Sequence, residues 1–182
     1  MITYKNCPVC GSGDIHVSFS AQDHTVSGES FMITKCNSCT LLFTQDVPAQ
    51  EHIGKYYVSE NYISHSDTQT GVINKLYHRV RKRTLAGKKN LIKNIKCIKQ
   101  GRILDIGSGT GAFLHTMHRA GWFGVGLEPD ETARERAKNL YDIKALPSSE
   151  LYHLPAGGFD VITLWHVLEH VHELQYYISR LK

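Results

Sequence analysis

Apolar positions recur with two different periods along this chain, and the change of period divides it. Between residues 15 and 44 the period is near two. Ile15-His16-Val17-Ser18-Phe19, Ser30-Phe31-Met32-Ile33-Thr34 and Leu41-Leu42-Phe43-Thr44 read as short strands. From Val72 it lengthens to three and four. Val72, Ile73, Leu76, Tyr77, Val80, Leu91, Ile92, Ile95 and Ile98 predict one or two amphipathic helices, with Gly87 as the break. Ile103, Leu104 and Ile106 then form the continuous apolar run of a strand buried on both faces. Beyond the glycines that follow, Phe113, Leu114, Met117 and Ala120 make a helical stripe that Gly121 ends. A second strand is predicted over Gly124–Glu128, and Asp130 caps a helix from Glu131 to Leu140. Tyr141 to Ala145 predicts a third strand, Leu146 to Gly158 a loop, and Phe159 to Trp165 a fourth strand. Strands alternating with helices predict an α/β fold with a parallel sheet.

The turn between the first of these strands and its helix carries the candidate chemistry. Asp105 stands at the strand end, and Gly107, Ser108, Gly109, Thr110 and Gly111 follow. Glycines there allow positive φ and close approach of a ligand to the backbone. The spacing is G-x-G-x-G and not the G-x-G-x-x-G of a dinucleotide fingerprint, which argues against an NAD-dependent oxidoreductase. Glu128 ends the second strand, about 20 residues on, where a carboxylate grips ribose hydroxyls and disfavours a 2′-phosphate.

Charge and cysteines complete the picture. Between residues 72 and 102 there are eleven Lys/Arg and no acid, so the net charge of +4 belongs to one segment. No aromatic residue interleaves with these charges after Tyr77, as a single-strand binder would need. A solvated helix face, an acidic partner or a phosphorylated substrate is expected in place of nucleic acid. Cys7-Pro8-Val9-Cys10 and Cys36-Asn37-Ser38-Cys39 are two C-x-x-C knuckles. Paired, they supply Cys7, Cys10, Cys36 and Cys39 as a closed tetrahedral set for a structural Zn²⁺, with no open position for catalysis. Redox thiols or mere packing are the alternatives; with Cys97 the cysteine count is odd, against a disulfide framework.

Leu104-Asp105-Ile106-Gly107-Ser108-Gly109-Thr110-Gly111, Glu128-Pro129 and Phe159-Asp160-Val161-Ile162 continuing to Val171 resemble, in this order, class I S-adenosylmethionine-dependent methyltransferases. The two knuckles, the Leu41–Thr44 strand and the tyrosines Tyr56, Tyr57 and Tyr62 are similar to a bacterial subgroup. That subgroup includes sugar C-methyltransferases and methyltransferases of polysaccharide and natural-product pathways, in which the ribbon helps wall the substrate site. The resemblance implies a Rossmann-like sheet, here incomplete at about four of seven strands, preceded by a zinc ribbon and a helical connector. The expected divisions are a ribbon over 1–50, a tyrosine-rich lid and basic helices over 51–100, and the N-terminal part of the cofactor domain over 101–182.

For the site, the resemblance implies that Asp105, Gly107, Ser108, Gly109 and Gly111 hold the methionine moiety of S-adenosylmethionine. It implies Glu128 and Pro129 at the ribose, Ser149 and Glu150 where the family reads the adenine, and Trp165 at the crevice. His166, at the carboxyl end of the fourth strand, is the candidate general base for a small-molecule acceptor. His166-Val167-Leu168-Glu169-His170 also has the H-x-x-E-H spacing of a metal-binding helix face. A related quinone O-methyltransferase group binds a divalent metal through a carboxylate-x-x-Glu-His face, and here a histidine replaces the carboxylate. A non-catalytic zinc-ribbon interaction module with a degenerate or truncated cofactor domain is the reading from another class. Missing strands would leave a sheet edge open to self-association. Met1–Lys5 does not begin a secretory signal and no apolar run is long enough to span a membrane, so a cytoplasmic location is expected.

Overall fold

The structure, a computed structural model, describes residues 1–24, 26–49, 52–56, 72–96 and 98–181. They belong to two compact units, residues 1–64 with 171–180, and residues 65–170. The tyrosine-rich stretch at Tyr57 and Tyr62, Cys97, and the side chains of the helical stripe up to Tyr77 lie outside the described residues.

In the first unit β1 (Ile15–Gln22), β2 (Ser30–Cys36) and β3 (Leu42–Thr44) make an antiparallel meander. Ile15 pairs with Cys36 and Gln22 with Ser30, with a bulge between Val17 and Phe19. The N-terminal chain joins through a bridge from Ile2 to Val47. Tyr4 is held beside it, its N–H donating to Gln45 Oε1 at 2.7 Å and its carbonyl accepting from Gln45 Nε2 at 2.8 Å. The meander buries little apolar surface, since Val17, Phe19, Met32 and Leu42 are all exposed. Among the described residues of this unit the buried ones are Cys7, Thr34, Cys36 and Pro48. So small a unit with so thin a core needs another source of stability.

The second unit is the predicted α/β assembly. Helix α1 (Val72–Lys96) precedes β4 (Arg102–Ile106), α2 (Ala112–His118), β5 (Phe123–Leu127), α3 (Glu131–Tyr141), β6 (Ala145–Leu146) and β7 (Val161–Leu164). The strands form one parallel sheet in the order β6-β5-β4-β7, with Ile106 level with both Leu127 and Leu164. The chain goes to one side of β4 for β5 and β6 and returns to the other for β7. That reversal is the switch point of a Rossmann-like sheet, and it opens a crevice at the carboxyl ends of β4 and β7. Ile103, Phe113, Leu114, Met117, Trp122 and Ile143 form the core beside β4, joined by Ile92 of α1.

Three predicted elements differ. Gly87 does not break the helix: α1 runs through it for 25 residues. Leu85 and Ile92 pack against the core on either side of it, and that packing outweighs the ~1 kcal/mol an interior glycine costs. Tyr141–Ala145 is not a strand. α3 extends to Tyr141, Asp142 adopts a left-handed φ of 55°, and the Asp142 and Ile143 amides turn back on the Lys138 and Ala137 carbonyls. Only Ala145–Leu146 is left to pair with β5. The predicted loop from Leu146 holds a 3-10 helix, Ser148–Tyr152. At the other end of the domain, α4 (Leu174–Arg180) groups with the first unit, although its sequence position put it in the 101–182 cofactor domain.

Candidate functional site

The glycine turn joins β4 to α2, and its three glycines have φ of 71°, 53° and 78° at Gly107, Gly109 and Gly111. Their surroundings separate their roles. A Cβ on Gly107 would stand 2.4 Å from Val167 Cγ2, and one on Gly111 3.0 Å from Ala137 Cβ, whereas Gly109 has nothing within 4 Å. Gly107 and Gly111 therefore permit packing, and Gly109 presents open backbone. The turn is fixed to β5 because the Gly107 and Ser108 amides both donate to the Leu127 carbonyl, at 2.8 and 3.0 Å. Ser108 Oγ and Trp165 Nε1 are buried with no hydrogen-bond partner among the described residues.

Glu128 closes over this turn from the end of β5. It is buried, its Oε2 accepting from Gly109 N at 2.8 Å and its Oε1 from Asp130 N at 3.1 Å. Pro129 follows on the surface, and Arg134 Nη1 holds both carbonyls, at 2.8 Å for Glu128 and 2.7 Å for Pro129. Ser149 and Glu150 lie in the 3-10 helix just beyond β6, with Glu150 3.7 Å from His153 Nδ1. The structure thus gathers Glu128 and the glycines at one point and sets Ser149 and Glu150 at the end of the next strand.

Asp105 is almost wholly buried in β4, where Thr163 Oγ1 of β7 donates to its Oδ1 at 2.7 Å. Burial pushes its carboxyl up to about 7, and the nearby Glu128 adds to the rise. The Thr163 hydrogen bond and the Lys88 ammonium pull against them. The folded protein then holds a proton that the unfolded chain, with the ordinary value of 3.8, releases. Stability from this group is full below that value and is lost as pH rises to about 7. Asp105→Asn keeps the acceptor for Thr163 and is expected to flatten this decline, a change of a few kcal/mol at most. Urea unfolding at several pH values checks it; equal slopes in the two proteins would remove the claim.

Two cations of α1, in the basic segment for which a solvated face, an acidic partner or a phosphorylated substrate is expected, lie against the glycine turn and the end of β7. Arg81 Nη2 donates to Thr110 Oγ1 of the glycine turn at 3.1 Å. Lys88 Nζ lies 4.4 Å from the centre of the Trp165 ring, and burial lowers its pKa against the pull of Asp105. Trp165 also packs edge-on to Phe113, with centroids 5.7 Å apart. The spacing of seven residues, two helical turns next to the apolar stripe, was the available signal.

His166 stands at the end of β7 with a left-handed φ of 59°, its side chain well exposed and Nδ1 3.6 Å from Glu169 Oε1. This backbone turn breaks the helical register from His166 to His170, so the H-x-x-E-H residues do not share a helix face. Among the described residues only the four cysteines form a metal-ligating group of three or more.

Those cysteines, Cys7, Cys10, Cys36 and Cys39, bring their sulfurs within 4.8 Å of one another. Cys7 and Cys39 Sγ are 3.5 Å apart and Cys10 and Cys36 Sγ 3.6 Å. Bonds of about 2.3 Å to one tetrahedral ion place sulfurs about 3.8 Å apart. The knuckles are built alike: Gly11 N returns to the Cys7 carbonyl at 3.0 Å and Thr40 N to the Cys36 carbonyl at 2.9 Å, with left-handed φ at both. The Cys39 amide lowers the Cys36 thiol to about 7. The Leu41 amide lowers Cys39 too, but desolvation and three adjacent sulfurs outweigh it and push Cys39 up to about 12. Without a cation the four cannot all be thiolates; with one they form a matched donor set.

Among known proteins, the family described as "Methyltransferase domain" matches residues 76–182. The chain is similar to magnesium protoporphyrin IX methyltransferase from Synechocystis PCC 6803, solved with bound SAM. The two are 17% identical, with 76% of this chain and 73% of that one covered and a TM-score of 0.53. It is also similar to the PH0226 protein from Pyrococcus horikoshii OT3, at 20% identity, 70% and 57% coverage and a TM-score of 0.50. The YcgJ protein from Bacillus subtilis is 19% identical, with 55% and 44% covered and a TM-score of 0.46. The chain therefore spans less than two thirds of the latter two, 57% and 44% of their lengths. No curated protein matches the sequence. The first two likenesses establish the Rossmann-like fold of the second unit.

Proposed function

The chain belongs to the methyltransferase-domain family, and on that premise we propose that its second unit binds S-adenosylmethionine and transfers a methyl group to a small-molecule acceptor. The observation that carries this reading is the open backbone at Gly109 with the Glu128 carboxylate 2.8 Å from its amide. An open glycine backbone admits a ligand at close range, and each Glu128 oxygen has lone-pair capacity left for a ribose hydroxyl. The unpartnered Ser108 Oγ and Trp165 Nε1 are further polar groups that a ligand would satisfy. Bound there, the cofactor supplies an electrophilic sulfonium methyl.

The chain's own residues then bind and orient. Glu128 and Pro129 hold the ribose, Ser149 and Glu150 meet the adenine, and the Gly107–Gly111 turn over Asp105 receives the methionine moiety. Arg81 and Lys88 supply positive charge for its carboxylate. His166, with Glu169 beside Nδ1 to orient the ring, takes the proton of a hydroxyl acceptor. The remaining work is alignment of acceptor and methyl, which is proximity and orientation. The cysteine cluster binds one structural Zn²⁺, and the ribbon suits a sugar, nucleotide-sugar or natural-product intermediate as acceptor. A cytoplasmic location, and self-association through the edge strand β7, belong to the same reading; no described helix is long and apolar enough to cross a membrane.

Calorimetric titration with S-adenosylhomocysteine tests it. Glu128→Ala removes charged hydrogen bonds worth about 1.5–3 kcal/mol and is expected to weaken binding about ten- to a hundredfold. NAD binding more tightly than S-adenosylhomocysteine, or no effect of Glu128→Ala, would overturn the assignment.

A further inference from the structure

Within the second unit, the carboxyl end of the sheet sets a cation on an aromatic face. Leu164 pairs with Ile106, so the next residues, Trp165 and Gly107, leave β7 and β4 side by side. Lys88 Nζ lies 4.4 Å from the centre of the Trp165 ring, inside the ~6 Å over which a ring face attracts a cation. Phe113 packs against the same ring at 80°. Trp165 Nε1 is buried with no hydrogen-bond partner among the described residues, so packing and the ammonium fix the ring. Burial opposes the charge of Lys88, and Asp105 attracts it without a hydrogen bond. The ring is thus the surface that the ammonium touches in place of a carboxylate.

This corner is crowded with positive charge, since Arg81 donates to Thr110 of the glycine turn as well. The proposed cofactor nevertheless brings a positive sulfur to it. A sulfonium has no proton to donate, so it is recognised by negative charge or by an electron-rich ring. Glu128 already accepts from Gly109 and Asp130, and Asp105 from Thr163. We propose that the Trp165 ring recognises the sulfonium of S-adenosylmethionine, and that the Lys88 ammonium competes with it for the same face. The inference rests on the cofactor reading above and deepens it, making Trp165 and Lys88 a specificity pair. Trp165 favours the cationic cofactor over its neutral thioether product, and Lys88 limits that preference. Lys88 reaches the ring on a flexible stem, so it exchanges the ring for the methionine carboxylate while α1 stays in place. The exchange has a use in methyl transfer. A contact that binds the sulfonium alone stabilises the reactant more than the transition state. The return of Lys88 to the ring offsets that loss as positive charge leaves the sulfur.

Titration with S-adenosylmethionine and with S-adenosylhomocysteine tests the pair. The readout is the ratio of the two affinities, in which contacts common to both ligands cancel, the carboxylate contact of Lys88 included. Lys88→Met keeps the stem and removes the competitor, and is expected to raise the preference for S-adenosylmethionine about threefold or more. In that background Trp165→Leu should lower the preference about three- to thirtyfold, and Trp165→Phe, a weaker cation-binding ring, by less. The phenylalanine retains a ring beside Phe113 and serves if the leucine variant fails to fold, which thermal unfolding reports. A preference that Lys88→Met leaves unchanged overturns the competition. If Lys88→Met raises it equally with Trp or Leu at 165, charge repulsion alone is at work and the ring is not the sulfonium site. If Trp165→Leu weakens both ligands alike, the ring only packs. A parent chain that binds both ligands, with a ratio indifferent to these variants, ends this inference and leaves the cofactor reading standing. A parent chain that binds neither ends both.

Discussion

On the zinc reading of the cysteine cluster, chelation or Cys36→Ser is expected to unfold the first unit and leave the sheet of the second intact. The reason is the balance of forces in the ribbon. Its meander leaves Val17, Phe19, Met32 and Leu42 exposed and buries two cysteines where a larger domain would bury Leu and Ile. Structural zinc in small cysteine-ligated modules contributes on the order of 10–16 kcal/mol. That is more than a three-stranded antiparallel sheet of this size can draw from apolar burial. Cys36 is the most buried of the four clustered cysteines and the Cys39 amide lowers its thiol to about 7, so on the zinc reading its loss removes both packing and a donor. Native mass spectrometry should find one zinc per chain, and circular dichroism after chelation should lose strand signal while helical signal remains. A chain that carries no zinc, or whose ribbon survives chelation, would end this account.

Substitution at Gly109 and Gly111 should separate binding from folding. Both have positive φ, which costs an alanine about 1–2 kcal/mol at either position. At Gly111 the new Cβ also meets Ala137 Cβ at 3.0 Å and Ile143 Cβ at 3.2 Å, inside the core, so Gly111→Ala should destabilise the second unit further. At Gly109 the Cβ meets nothing within 4 Å in the protein. On the proposed function it would project toward the cofactor, so Gly109→Ala should stay folded yet lose most S-adenosylhomocysteine affinity, about a hundredfold. Thermal unfolding and titration of both variants give the comparison. Equal losses of binding and stability at the two positions would show that the open face of Gly109 is not where the ligand lies.

Much of the site could be read from local pattern because local chemistry specifies it. Alternate glycines after an apolar run demand a strand, a tight turn and a helix, and the turn has that form. Asp130 caps α3 as its type and position require, accepting from Thr132 N at 2.9 Å. Arg81 and Lys88 were not legible in the same way. A cation on an amphipathic helix reads as solvated, and only the placement of α1 beside the glycine turn and Trp165 makes these two different from Lys82 or Lys93. Thr163 has no motif either; it matters because β7 lies in register beside β4, opposite Asp105. Tyr141–Ala145 differs because α3 runs on to Tyr141 and the left-handed Asp142 caps it, so the helix end and its cap consume most of that length.

The sequence by itself determined the two classes of element, the glycine turn with its carboxylate partner, and the paired knuckles. Each follows from interactions between residues close in the chain: hydrophobic period, capping, backbone freedom at glycine, and thiol spacing. Only the tertiary structure decided which cations of α1 face the turn, how far Asp105 is shielded from water, and that α4 is held by the ribbon. Those outcomes depend on groups separated by tens of residues or more, as in Gln175 with Val9 or Thr163 with Asp105. Burial and long-range hydrogen bonds arise when separate elements pack, and no local pattern encodes them.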